Sequence, residues 1–141
     1  MKSLFSLVLF FLPFISLFAQ SEATWTLYQT VNGVEIYTQE VDCYAENIPS
    51  QKAYLIKIVN TNSYECSIEW DLAVWYNDVL QSENVKDGEN HYTTVVKANS
   101  DLVGNCETPY GALYVYKDFI LYDAPSKLTR FELENIKTNK K

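Results

Sequence analysis

Residues 66–76 read Cys66-Ser67-Ile68-Glu69-Trp70-Asp71-Leu72-Ala73-Val74-Trp75-Tyr76. Cys66, Ile68, Trp70, Leu72, Val74 and Tyr76 fall on one face at a period of two, and Ser67, Glu69, Asp71 and Ala73 fall on the other. Successive side chains of a strand point to opposite faces, so this pattern describes a half-buried strand with its apolar side inward. Residues 70–76 alone would also suit a helical turn, but the alternation runs on too long for that. Trp75 lies on the face opposite Trp70.

Working outward, the same grammar recurs. Trp25 to Val31 and Val34 to Thr38 flank Asn32-Gly33. Asn-Gly between two alternating runs is the strongest short-range hairpin signal, because both turn residues must adopt positive φ. Ala53 to Val59 is nearly continuous in apolar character, which suits a central strand. Residues 44–51 form a loop around Pro49, residues 60–63 a turn and residues 77–90 a polar loop ending in Asp87-Gly88. Further strands are expected at Tyr92 to Ala98, Ala112 to Tyr116 and Leu128 to Ile136, with residues 99–111 irregular and residues 117–122 undecided. About seven strands and no convincing helix predict an all-β, antiparallel sandwich of immunoglobulin-like type.

The chain opens with Lys2 followed by an almost wholly apolar run, Leu4 to Phe18, and a small residue, Ala19, before Gln20. This is the pattern of a secretory signal peptide over residues 1–19, and the run is short for a spanning helix. Residues 20–137 then form one sandwich domain and residues 138–141 a frayed basic tail. Export, periplasmic or fully secreted, implies an oxidising compartment and no stable membrane anchor. The chain carries a formal charge of −7, and loss of Lys2 with the leader makes it −8. Such an acidic protein is poorly matched to nucleic acid or anionic lipid.

Three cysteines lie outside the leader, and export favours one disulfide plus one odd thiol. Cys66 sits on an apolar strand face, where a thiol packs well, whereas Cys43 and Cys106 both lie where a strand gives way to irregular chain. The expected pair is therefore Cys43–Cys106 with Cys66 free, although spacing alone leaves the other two pairings open. No metal or cofactor is expected, since the cysteine spacings are not ligand-like and His91 is the single histidine. A Cys106–His91 nucleophile is the one plausible thiol–imidazole combination, and a disulfide cysteine beside a strand-edge histidine explains the same residues. Glu69 and Asp71 on one strand face, with Glu83, Asp87 and Glu89 in the following loop, invite a calcium or acid–base reading, against that of a solvated acidic face.

The aromatic residues carry the functional expectation. If Leu113 and Val115 face the core, Tyr114 and Tyr116 form an external ladder, and Trp75 adds a third outward ring. Such rings offer contact area at low entropic cost for a sugar or a peptide. Ordinary cross-strand pairing or a second buried face also explains them.

Residues 70–77, Gly104-Asn105-Cys106, the run Leu113 to Phe119 and the run Leu128 to Asn135 resemble small exported proteins of Bacteroidota that look like immunoglobulin-type sandwiches. The resemblance implies a fold and a compartment, and brings with it neither an activity nor a functional residue. Trp25 and Asn32 to Thr38 are also similar to the opening of START-type lipid-binding domains, but that likeness ends with one hairpin, and the helices those domains need do not follow. The expectation is a non-enzymatic module that binds a glycan or a protein partner through Trp75, Tyr114 and Tyr116. The alternatives are a carrier with an apolar cavity between its sheets and, last, a hydrolase using Glu69, Asp71 or Asp101.

Overall fold

The computed structural model describes residues 24–46, 48–81, 90–109 and 111–141. The expected signal peptide (residues 1–19) and the carboxylates Glu83, Asp87 and Glu89 lie outside the described residues. Among the described residues, nine strands follow in order: β1 (Thr26–Val31), β2 (Val34–Cys43), β3 (Gln51–Asn60), β4 (Cys66–Tyr76), β5 (Val79–Leu80), β6 (His91–Val96), β7 (Ser100–Val103), β8 (Tyr114–Phe119) and β9 (Leu128–Lys140). All pairings are antiparallel.

The first sheet is β1-β2-β3, with β7 and β8 end to end along the far edge of β3. The second centres on β4, with β9 along one edge and β6 and β5 end to end along the other. Their inner faces pack together through Val34, Ile36, Ile56 and Ile58 from one sheet and Cys66, Ile68, Trp70, Leu72, Val96 and Leu133 from the other. The protein is thus a β-sandwich, as the alternation in residues 66–76 predicts. Its first sheet begins as an uninterrupted meander, whereas the corresponding immunoglobulin sheet runs A-B-E-D, so the two share layers and differ in strand order.

Asn32 and Gly33 form the expected hairpin turn, with φ of 48° and 76°. A second turn of this kind escapes the sequence reading: Asn77 and Asp78, with φ of 49° and 65°, join β4 to β5 inside the segment expected to be loop. β7 likewise occupies part of the stretch expected to be irregular, because the second half of β3 needs an edge partner. Residues 138–141 are not a frayed tail. Thr138, Asn139 and Lys140 pair with Ile68, Ser67 and Cys66, and the Lys141 N–H donates to the Glu65 carbonyl at 2.9 Å. The tail is polar because it faces water, and backbone pairing has no need of apolar side chains.

Two constraints lock the frame. Asn60, fully buried at the end of β3, donates its amide protons to the carbonyls of Tyr64, Val96 and Lys97 at 2.8, 3.1 and 3.1 Å. Its oxygen accepts the Asn62 N–H at 3.0 Å. The second is at Ile56, where β7 gives way to β8. The Gly104 N–H donates to the Ile56 carbonyl at 2.9 Å, and the Ile56 N–H donates to the Leu113 carbonyl at 3.0 Å. Residues 105–109 and 111–112 leave and return at this point as a looped excursion. The expected disulfide forms: Cys106, on that excursion, bonds Cys43 of β2, and Cys66 stays free and buried. It helps build a second small core on the outer face of the first sheet, with Ala53, Leu55 and Tyr114.

A Cβ at Gly104 would stand 2.1 Å from the Leu113 carbonyl oxygen, a backbone atom that cannot swing aside. Gly104→Ala should therefore destabilise the domain by about 2 kcal/mol or more, read from the urea midpoint, since overpacking costs typically 1–3 kcal/mol. Asn60→Ala should cost about 2–3 kcal/mol in the same measurement, because buried carbonyls lose their donors.

Candidate functional site

The three rings expected on one face do not share one. Trp75 lies on the outer face of β4 in the second sheet, while Tyr114 and Tyr116 lie on β8 in the first. The Arg130 guanidinium sits 3.8 Å above the Trp75 ring, from the residue directly across the strand pair. Tyr114 is 3 % exposed and belongs to the second core with Cys43 and Leu55, so it does not form an external ladder. The expectation assumed a bare outer face on β8. The disulfide-linked excursion helps cover that face, and nothing in the Leu113 to Tyr116 alternation announces a covering loop.

Tyr116 keeps its place in a different constellation. Its ring centroid lies 6.1 Å from that of Tyr76 and 5.2 Å from that of Phe119, and Phe119 stacks on Tyr122 at 4.3 Å. The Tyr76 hydroxyl donates to the Tyr116 carbonyl at 2.9 Å and ties the two sheets together there. Beside this row of rings opens a cleft of about 330 Å³, lined by Tyr116, Phe119, Ala124, Pro125 and Ser126. Leu121 and Tyr122 stand at its end of the molecule, 76 % and 52 % exposed. Sequence reasoning missed Phe119 and Tyr122 because their segment is undecided by period. The available signal was the ring density from Tyr114 to Tyr122.

The segment behind the cleft is held by its neighbours. The Ile120 N–H donates to the Ser50 carbonyl at 2.9 Å. Asn77, from the β4–β5 turn, donates its side-chain amide to the Pro125 carbonyl at 2.7 Å and accepts the Lys127 N–H at 3.1 Å. The Lys127 ammonium lies 2.6 Å from Asp123 and 3.8 Å from Asp118. A loop tied at both ends in this way offers its apolar wall in one arrangement, which lowers the ordering cost of binding.

The carboxylates weighed for chemistry lie elsewhere and are engaged. Glu69 pairs with Lys137 at 3.1 Å. Asp71 accepts the Asn135 amide and meets His91 Nδ1, both at 2.7 Å. Asn135 reaches it from a bulge in β9 where φ is 51°. These bonds, that from Asn135 first and that from His91 second, hold the Asp71 carboxyl below its ordinary value of 3.8. Asp101 stands exposed on β7, in the other sheet. Cys106 is oxidised and on the first sheet, whereas His91 is on the second, so the thiol–imidazole combination does not form.

Comparison with family models, with curated proteins and with solved structures finds no match.

A carboxyl whose folded pKa is lowered contributes stability that is present above its unfolded pKa and lost as pH falls through the folded one. Asp71→Asn leaves one acceptor where two are used. It should lower stability by about 1 kcal/mol at pH 7. The gap between variant and parent should shrink as pH falls below the ordinary value of 3.8, followed by denaturation across that range.

Proposed function

We propose that this chain is an exported, non-enzymatic binding module, of the small sandwich group its sequence resembles, and that it seats a glycan or a protein segment in the cleft beside Tyr116 and Phe119. One observation carries the proposal: an open, about 330 Å³, largely apolar cleft flanked by a row of aromatic rings and backed by a tethered loop. Concave apolar sites with rigid rings are where binding energy concentrates. This moves the expected site from Trp75 and Tyr114 to the loop after β8 and retains Tyr116.

The engagement of Glu69 by Lys137 and of Asp71 by Asn135 and His91 favours recognition over hydrolysis. A carrier would need room between its sheets, and that layer is filled by Ile36, Ile56, Ile58, Ile68 and Trp70. A smaller cleft of about 190 Å³, lined by Leu72, Tyr92, Tyr114 and Tyr116 among others, opens at the edge of the sheets.

Glycan and peptide arrays probed with the purified protein test the proposal. Tyr122→Ala and Phe119→Ala should weaken whatever binding the arrays detect by tenfold or more, on the order of an aromatic anchor's contribution. Tyr122→Ala should leave the melting temperature near that of the parent, because the ring is half exposed. Tyr114→Ala should instead lower the melting temperature. Binding indifferent to Phe119 and Tyr122 would remove the site from consideration.

A further inference from the structure

The cleft is more selective than a generic aromatic surface, and its surroundings are charged. Phe119, Ala124 and Pro125 give its wall no side-chain hydrogen-bonding group, and Tyr116 and Ser126 supply one hydroxyl each. A sugar ring carries hydroxyls around its whole rim, and seating it there would strip water from groups that find few partners. An aromatic or branched aliphatic side chain loses nothing of that kind and gains the full apolar contact.

The rim is anionic. Lys127 is shared by Asp123 at 2.6 Å and Asp118 at 3.8 Å, which leaves one negative charge in excess. Arg130 is offset by Glu132 at 3.6 Å, and Lys117 is engaged by Glu40 at 2.6 Å. The whole chain is also negative, at −7, so a second copy would meet like charge at this face.

We propose that the cleft receives one apolar side chain of a basic protein segment, whose flanking lysines or arginines face Asp118 and Asp123. The inference rests on the binding-module reading and deepens it by choosing a peptide over a glycan and a basic peptide over an acidic one.

The test uses the purified protein and three probes in isothermal titration: acetyl-Lys-Lys-Phe-Lys-Lys-amide, acetyl-Glu-Glu-Phe-Glu-Glu-amide and cellohexaose. The basic peptide should bind about tenfold more tightly than the acidic one, as a few partly exposed charge pairs allow. The preference should shrink when salt rises toward 0.5 M, since screening shortens the reach of exposed charges. Asp118→Asn with Asp123→Asn should narrow it further, while Tyr122→Ala should weaken both peptides alike. Equal affinity for the two peptides would overturn the charge assignment and leave the cleft as the binding site. Binding of cellohexaose alone, abolished by Tyr122→Ala, would overturn the peptide proposal and leave the binding-module reading standing. If every probe that binds ignores Tyr122→Ala and Phe119→Ala, or if none binds, both fall.

Discussion

The buried amide of Asn60 is the junction at which the two sheets become one structure. β3 ends there, and the chain must cross from the first sheet to the second before β4 can begin. A crossing of this kind strands carbonyl groups that no ladder can satisfy, and leaving them buried and unpaired would be costly. Asn60 gathers those of Tyr64, Val96 and Lys97 onto one side chain and so joins the β3–β4 crossing to the β6–β7 connection. Asn62, which that amide orients, donates to the Asn32 carbonyl at 2.9 Å and extends the same network to the first hairpin. An apolar residue of similar volume would pack there but could not accept or donate, so the end of the sandwich would lose its closure.

The edges are guarded by the same economy of polar atoms. The Tyr28 hydroxyl, on the exposed strand β1, accepts the Leu133 N–H of β9 at 3.0 Å, and the Asn32 amide donates to Thr138 at 3.0 Å. The two open edges that face each other are thereby joined through side chains rather than through a ladder, which blunts them as templates for pairing with another chain.

The opposite end is built differently, and there the candidate site arises. The Cys43–Cys106 bond and the excursion it holds cover the outer face of β3, turning a two-layer sandwich locally into three. Covering that face draws Tyr114 inward and leaves Tyr116, one step of the alternation further on, at the boundary with Tyr76 and Phe119. These rings are therefore half-buried at the end of a strand rather than spread across an open outer face. The loop from Ile120 to Lys127 then supplies the second wall, tethered by Asn77 and by Ser50.

Alternation in residues 66–76, the Asn32-Gly33 turn and the continuous apolar run of β3 made the layers, the first hairpin and a central strand legible in the residues themselves, because each depends on local backbone geometry or on which side chains shun water. Where the cysteines stand relative to strand ends favoured the Cys43–Cys106 pair that forms, while leaving the other two pairings open. What the residues did not disclose were features set by the backbone of another segment: β7 formed against the free edge of β3, the polar C-terminal run paired with the start of β4, and Tyr114 buried under an excursion that a disulfide to β2 holds against the sheet. Those outcomes depend on hydrogen bonds and coverage contributed by a partner strand or loop, and such contributions leave no periodicity in the segment that receives them. The cleft at Phe119 and Tyr122 belongs to this second kind, since its walls come from β8 and from a loop that Asn77 holds in place only once the sheets have met.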